Sequence, residues 1–283
     1  MIESERKQII DLVRREVIPA IGCTEPIAVA LCVAKAVETL GTKPENIKVF
    51  LSANILKNAM GVGIPGTGMI GLPIAVALGA IIGKSEYQLE VLKDSTPEAV
   101  KLGKQYINEK RVCISLKEGI AEKLYIEVLC EAEGKVATAI IAGGHTTFIY
   151  IARGEEILFS KQPVGTEEQD EQNLDLNLKK VYDFALTAPL EEIRFILETA
   201  RLNKAAAESS FQGDYGHALG KVLRGRYEHQ IMGDSVFSHI LSYTSAACDA
   251  RMAGAMIPVM SNSGSGNQGI SATLPVLIFA EEN

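Results

Sequence analysis

The segment that decides the fold is KLYIEVLCEAEGKVATAIIA, at residues 123–142. It holds two runs rich in β-branched and apolar residues with Gly134 between them, a pattern typical of two strands joined by a tight turn. Short runs of the same kind lie at 112–116 and 148–152. The pattern predicts an antiparallel β-meander, and we assign a β-rich subdomain to residues 109–164.

Sequence with helical periodicity surrounds this segment. Near the N-terminus, apolar residues recur at helical spacing over 4–17, and Thr24 is a candidate N-cap of a second helix. The helical spacing returns over 178–252. The chain is therefore predicted to be an α+β protein, in which a mostly helical domain (1–108 and 165–283) carries the β-rich subdomain as an insert.

Individual elements are also predicted from periodicity and from turn residues. The second helix, which begins at Thr24, should end at Gly41. In the first half we expect a strand at 47–55 and helices at 70–83 and 96–108. In the second half we expect helices at 178–187, 189–210, 214–224 and 232–252.

The composition limits the kind of partner. The 28 Lys and Arg residues against 35 Asp and Glu residues give a net charge of −7, and 47% of the residues are hydrophobic. A mildly acidic chain has no electrostatic footprint for a phosphate backbone, so we expect no nucleic-acid partner. We expect a small-molecule substrate and allow for a homo-oligomer.

The cysteines and the charge-free stretches indicate the compartment. The five cysteines are an odd number without a CxxC pair, which favours free thiols in a reducing, cytoplasmic setting. The long uncharged stretches at 59–83 and 252–280 are interrupted by glycine, proline or polar residues. Such interruptions are poorly tolerated in lipid, so we expect buried helices and no membrane partner.

Cys23 is the cysteine with the clearest chemical setting. It directly precedes the candidate N-cap Thr24, where helix N–H groups and the helix dipole stabilise a thiolate. The alternative is a small buried residue before a helix, and sequence pattern alone leaves both open. The other four cysteines lie in runs that suggest packing: Cys32, Cys113, Cys130 and Cys248.

The segment SNSGSGNQG at 261–269 is a second candidate site. Glycines and small hydroxyl residues before a helix expose backbone N–H groups, which suits a carboxylate or a phosphate. It lacks the Gly-Lys-Ser/Thr of a phosphate-binding loop and the βαβ setting of a dinucleotide site. A flexible linker is the alternative, but the apolar flanks favour anion binding.

Three side chains elsewhere are candidates for proton transfer or for orienting a substrate. Lys57 and Asn58 lie at the edge of a glycine-rich loop, where they could meet a small anion or simply be solvated. His145 lies in the turn GGHTT (143–147), a position that suits a proton carrier, although a lone turn histidine is often only solvated.

Five motifs together point to a known family. They are GCTEP (22–26), Asn58 with GVGIPG (61–66), GGHT (143–146), DARM (249–252) and PVMSNSGSGNQG (258–269). In this order they resemble the L-cysteine desulfidase family, relatives of the α chain of the iron–sulphur L-serine dehydratase. The resemblance runs from about residue 8 to the last residue.

The resemblance implies a lyase that uses a [4Fe–4S] cluster held by three thiolates, with one iron open to the substrate. Cys23 carries over as one ligand. In the family the other two lie in a helical segment beyond the SGSGNQG loop, and this sequence stops at Asn283. We therefore expect the 283-residue chain to lack that segment, to hold no normal cluster and to be inactive by itself.

The reaction implied is α,β-elimination of L-cysteine or L-serine to pyruvate and ammonia, with sulphide or water. Lys57, Asn58 and His145 are assigned to proton transfer or orientation. Substrate binding is assigned to the SNSGSGNQG loop, whose backbone N–H groups would hold the carboxylate, and to the start of the second helix: Thr24, Glu25, Asn262, Ser263, Gly264, Ser265 and Asn267. The alternative is a non-catalytic protein that binds a small carboxylate or an amino acid.

Overall fold

The structure is a computed structural model that describes residues 2–161, 176–225 and 232–283. The helices are α1 (Glu3–Glu16), α2 (Thr24–Leu40), α3 (Ala53–Ala59), α4 (Leu72–Ile81), α5 (Pro97–Asn108), α6 (Leu178–Thr187), α7 (Leu190–Ile193), α8 (Leu197–Gln212), α9 (Leu219–Val222), α10 (Val236–Met252) and α11 (Gly266–Glu282). The strands are β1 (Pro19–Ile21), β2 (Asn46–Leu51), β3 (Gly63–Ile64), β4 (Met69–Ile70), β5 (Val112–Leu116), β6 (Tyr125–Ala132), β7 (Lys135–Ala142), β8 (Phe148–Arg153), β9 (Glu156–Ser160) and β10 (Pro258–Met260). The predicted α+β class is confirmed.

The main sheet has six strands in the order β5-β2-β6-β7-β8-β9. Strands β6 to β8 form the part of the predicted antiparallel meander that the structure confirms, and β9 extends it. The run at 112–116 was predicted in the same meander, which is wrong, because β5 pairs with β2 and not with β6. Strand β2 lies between β5 and β6, parallel to β5 and antiparallel to β6, so the sheet is mixed. It joins there because Ile47, Val49 and Leu51 alternate on its buried face and complete the core. The sheet is thus not confined to 109–164, and the proposed domain boundaries stay a prediction.

The central helix α2 explains why parts of this chain are apolar on all sides. It packs against β6 and β7 on one side and against α4 on the other. The residues over 28–34 are fully buried. A Cβ on Gly79 of α4 would lie 2.6 Å from the Ala30 carbonyl oxygen, so only glycine allows the two helices to approach this closely. Among the described residues, no helix is long and apolar enough to cross a membrane.

Three predicted elements differ from the structure. The strand predicted at 47–55 ends at Leu51, because the Ser52 hydroxyl caps α3 by accepting the Ile55 N–H at 3.5 Å. The helix predicted at 189–210 is interrupted where Ile193 leaves helical geometry (φ −107°, ψ 0°). The helix predicted at 214–224 shrinks to α9, which follows a left-handed Ala218 (φ +52°).

A short two-stranded ribbon joins distant parts of the chain. Strands β1 and β10 pair antiparallel, with Ala20 opposite Val259. The Ser261 N–H and hydroxyl both donate to the Ile18 carbonyl, at 2.9 and 2.7 Å. This ribbon brings the segment that enters α2 beside the segment that enters α11, where α8 and α10 pack as a second helical layer.

Candidate functional site

The candidate site lies where α2 and α11 begin. Cys23 is the N-cap of α2, and Ser265 is the N-cap of α11, with its hydroxyl accepting the Gln268 N–H at 3.3 Å. The β1–β10 ribbon sets these two helix starts near each other. Because the first N–H groups of a helix have no acceptor within it, two sources of free donors meet here.

Two further segments close on this junction through glycines. A Cβ on Gly22 (φ +78°) would lie 2.4 Å from the Pro65 side chain, so the loop at 61–66 rests on the turn before Cys23. The Gly66 N–H donates to the Gly254 carbonyl at 3.1 Å, which ties the same loop to the end of α10. The motifs at 22–26, 61–66 and 249–252 are therefore neighbours in space.

Glu25 is the hub of the polar contacts. Its Oε2 accepts from the Cys23 thiol at 3.0 Å and from the Thr24 hydroxyl at 3.2 Å, and its Oε1 accepts from Asn58 Nδ2 at 3.4 Å. Burial alone would raise the pKa of Glu25. The hydrogen bonds and the charge of His145 outweigh burial and lower that pKa, so the carboxylate is ionised.

Cys23 departs from the expectation that the helix start favours a thiolate. Its side chain is 8% exposed, and burial, followed by the charge and hydrogen bonding of Glu25, raises its pKa to about 11. The nearby charge of Arg251 opposes this shift. The thiol makes no capping hydrogen bond to the helix N–H groups and donates to Glu25 instead, so it is protonated.

His145, on the β7–β8 turn, lies against the loop at 261–269. A Cβ on Gly264 would lie 2.4 Å from its Nδ1, so glycine makes room for the ring. Burial lowers the pKa of His145, Glu25 raises it and Arg251 lowers it, with a lowered pKa as the result. A cavity of about 550 Å³ opens beside His145, Ser263 and Gly264.

The loop forms a tight turn that uses most of its own N–H groups. Asn262 and Ser265 exchange backbone hydrogen bonds at 3.0 and 2.9 Å around left-handed Ser263 (φ +48°) and Gly264 (φ +74°), as in a type I′ turn. The Ser263 N–H donates to the Glu16 carbonyl at 3.0 Å. The backbone donors of Asn262, Ser263 and Ser265 are thus engaged, and the N–H groups in the first turn of α11 remain for an anion.

Arg251, at the end of α10, is a residue that sequence reasoning missed. It is 5% exposed, its Nη1 donates to Asn267 Oδ1 at 3.0 Å, and its Nε is buried without a partner. A Cβ on Gly266 would lie 2.2 Å from that Nε, so the guanidinium crosses the start of α11. Its place in the DARM motif was the available signal.

Among the described residues, Thr24 and Asn58 contact the site through Glu25, whereas Lys57 does not. Thr24 is 2% exposed, and its hydroxyl reaches only Glu25 among the side chains that the structure describes. Asn58 joins the site through Glu25. Lys57 is exposed on α3 and makes no hydrogen bond to the other candidates within the described parts of the chain.

The cysteines do not form a cluster site by themselves. Three thiolates are needed, and Cys23 is the one at this junction. Cys32 and Cys130 are buried in the core between α2 and the sheet, Cys113 is exposed on β5, and Cys248 lies on α10. In residues 2–161, 176–225 and 232–283, no group of three or more His, Cys, Asp or Glu could hold a metal ion. The described residues therefore do not fit a [4Fe–4S] cluster.

Comparison with known proteins decides the family. A family model described as serine dehydratase alpha chain matches residues 86–283. The chain belongs to the serine dehydratase alpha-chain family. The resemblance noted from the five motifs is thereby confirmed at the level of the serine dehydratase relatives. No solved structure matches the chain.

Curated relatives of this family member cover nearly all of the chain. A UPF0597 protein of Bacteroides fragilis is 82% identical over 283 residues, which is all of this chain and 66% of that protein. A UPF0597 protein of Bacteroides thetaiotaomicron is 78% identical with the same coverage. One from Oleidesulfovibrio alaskensis is 44% identical over 99% of the chain and 66% of its own length. The chain thus spans about two thirds of the length of these relatives.

Proposed function

We propose that this chain carries the amino-acid site of a lyase that removes the β-substituent of L-serine or L-cysteine. The products are pyruvate and ammonia, with water or sulphide. The observation that carries the proposal is the junction of two helix starts, where an ionised Glu25, a half-buried His145 and the first turn of α11 converge. Family membership supports the reaction class.

The elimination needs a base that removes the proton from Cα, and the β-substituent must then leave from Cβ. His145 has a lowered pKa, so its imidazole is neutral near neutral pH and can accept the Cα proton. The electron pair released from the Cα–H bond expels hydroxide or hydrosulphide from Cβ. The aminoacrylate then tautomerises to the imine, which water hydrolyses to pyruvate and ammonia.

Glu25 suits a second role in the same reaction. As a partly buried, ionised carboxylate it can accept a hydrogen bond from the substrate ammonium, while Asn58 and Thr24 hold its two oxygens in place. Lys57 makes no hydrogen bond to the other candidates within the described residues, so its link to the site is the weakest of the three candidates for proton transfer.

A reconstitution experiment tests the proposal. The chain is extended with the remaining third of the Bacteroides fragilis relative, and we refer to this chimera as the completed protein. It is loaded anaerobically with iron and sulphide, and pyruvate is assayed from L-serine and L-cysteine. Pyruvate from either substrate supports the proposal. A protein that binds iron but yields pyruvate from neither substrate contradicts it.

The single thiol at the site favours a second candidate for the 283-residue chain itself, namely binding of a small carboxylate or an amino acid without catalysis. Titration of L-serine into the metal-free chain, followed by calorimetry, tests it. Binding without pyruvate formation, in both the chain and the loaded completed protein, would favour this candidate over the lyase.

A further inference from the structure

Arg251 is a buried cation whose charge has no counter-ion in the part of the chain that the structure describes. Its guanidinium donates only through Nη1, to Asn267 Oδ1 at 3.0 Å and to the Met252 sulphur at 3.5 Å. Its Nε is buried and has no acceptor. An arginine cannot shed its proton, and a buried unpaired charge is costly, so an anion at this place stabilises the fold.

The helix start beneath it presents donors of the same kind. α11 has 17 residues and begins at Gly266, directly under the guanidinium. The N–H groups of Gly266 and Asn267 belong to its first turn and have no acceptor within the helix. A helix N-terminus and a guanidinium both favour a carboxylate, and here the Arg251 side chain packs directly against the first residue of the helix.

The nearby carboxylates are engaged with other groups. Glu25 accepts from Cys23, Thr24 and Asn58. Asp249, two residues before Arg251, accepts the Gly220 N–H at 3.0 Å. Neither of these carboxylates is ion-paired with the guanidinium, so the place beside it is open to the carboxylate of a bound molecule.

We propose that Arg251 and the first turn of α11 bind the α-carboxylate of the substrate. The identity of the ligand as an amino acid rests on the proposed function, whereas the site itself would take any small monocarboxylate. The Asn267 side chain orients the guanidinium by accepting from Arg251 Nη1. The Nε side of the guanidinium, which has no acceptor among the described residues, is left for the ligand.

The spacing of this site to His145 fits a small amino acid. His145 lies on Gly264 and Arg251 lies on Gly266. Two residues span about 7 Å at most, so the Cα atoms of these two glycines are no farther apart than that, and the charge of Arg251 acts on His145. A carboxylate fixed at Arg251 therefore sets Cα within the range of His145, and a ligand without a carboxylate loses that orientation.

Calorimetry with the metal-free completed protein tests the assignment. The probes are L-serine, L-serinamide (which lacks the carboxylate) and propionate (which lacks the amine and the hydroxyl). We expect L-serine and propionate to bind and L-serinamide to bind at least about tenfold more weakly, as expected for the loss of a charge-assisted hydrogen bond. Arg251→Met should remove that discrimination, and Arg251→Lys should restore part of it.

Two further variants separate a local effect from a loss of fold. Gly266→Ala keeps the charge but pushes the guanidinium off the helix start, so it should weaken propionate binding with an unchanged circular dichroism spectrum. Arg201→Met, at an exposed arginine of α8 paired with Glu198, is the matched control and should bind as the wild type does.

The outcomes distinguish the two proposals. If propionate binding depends on Arg251 but L-serine does not bind and no pyruvate forms, the carboxylate site stands and the lyase proposal fails. If Arg251→Met retains the preference of the wild type for L-serine over L-serinamide, or if the wild type binds neither carboxylate at millimolar concentration, the assignment of Arg251 is overturned.

Discussion

The N-terminus of α2 and its middle have opposite surroundings, although the same helix carries a cysteine in each. Cys32 is fully buried among apolar residues, and its thiol donates to the Ala139 carbonyl of β7 at 3.3 Å. Cys23 faces an ionised carboxylate and a nearby guanidinium charge. The comparison shows that burial alone does not separate a packing cysteine from a site cysteine, whereas the charges around the thiol do.

Two glycines repeat the contrast. Gly79 lets backbone approach backbone, since a Cβ there would meet the Ala30 carbonyl oxygen at 2.6 Å. Gly266 lets a charged side chain cross a helix start, since a Cβ there would meet Arg251 Nε. The first glycine serves the stability of the core, and the second serves the site.

The largest effect is expected from the cysteine pair. In the completed protein loaded with iron, Cys23→Ala should lose the bound iron and the pyruvate activity, because the resemblance assigns this thiol as a ligand. Cys32→Ala should keep both and cost about 1 kcal/mol of unfolding free energy or somewhat more, because it removes a buried sulphur. Iron content and pyruvate release measure the difference, and equal iron in the two variants would break the comparison.

A smaller loss of activity is expected at His145. His145→Gln should lower kcat by about 10²–10⁴-fold, as for the loss of a general base. A base works only when it is deprotonated, and the pKa of His145 is lowered. The wild-type kcat should therefore stay constant as the pH falls past about 6.5, the usual pKa of histidine, and decrease only at lower pH. The pH profile of kcat measures this, and an unchanged acid limb in the variant would show that another group is the base.

The glycine pair separates stability from binding. Gly79→Val forces α2 and α4 apart and should lower the free energy of unfolding by about 3 kcal/mol, at the upper end for overpacking. Gly266→Ala should change stability less and weaken carboxylate binding more. Chemical denaturation and calorimetry on the same preparations give both quantities, and a reversed order would contradict the distinction.

The smallest effect concerns His239, whose pKa shift has the opposite sign to that of His145. Hydrogen bonds to Glu282 and Asp234, at 2.7 and 2.6 Å, raise its pKa. Its contribution to stability is therefore complete below about pH 6.5 and is lost as the pH rises through the raised value. His239→Gln should cost about 1 kcal/mol or less at the lower pH and nothing at alkaline pH, measured by denaturation at both.

Local patterns in the sequence predicted much of the fold. Alternation and turn glycines predicted the meander from β6 to β8. The start of α2 was predicted to within one residue, because Thr24 was expected as the N-cap, whereas the structure has Cys23 at the N-cap and Thr24 as the first helical residue. The insertion of β2 between β5 and β6 was not predictable, because a strand pattern does not state its partner. Likewise, β2 ends before Ser52, which caps α3, but the apolar run at 47–55 continues through this position and gives no sign of the boundary.

The site was predictable only in part, for the same reason. Cys23, His145 and the loop at 261–269 were candidates from local chemistry, and Glu25 was a candidate from the family resemblance. Their proximity depends on the β1–β10 ribbon, whose strands are more than 200 residues apart in sequence. The role inferred for Arg251 depends on its contact with Gly266, which no local sequence pattern shows.

The most direct test of the central claim is a nuclear magnetic resonance titration of the metal-free completed protein, labelled with ¹⁵N, with L-serine. We predict that the Arg251 Nε–H and the amides of Gly266 and Asn267 shift, while the amides over 28–34 in the middle of α2 stay unchanged. Shifts confined to other parts of the protein, or none at the start of α11, would contradict the account.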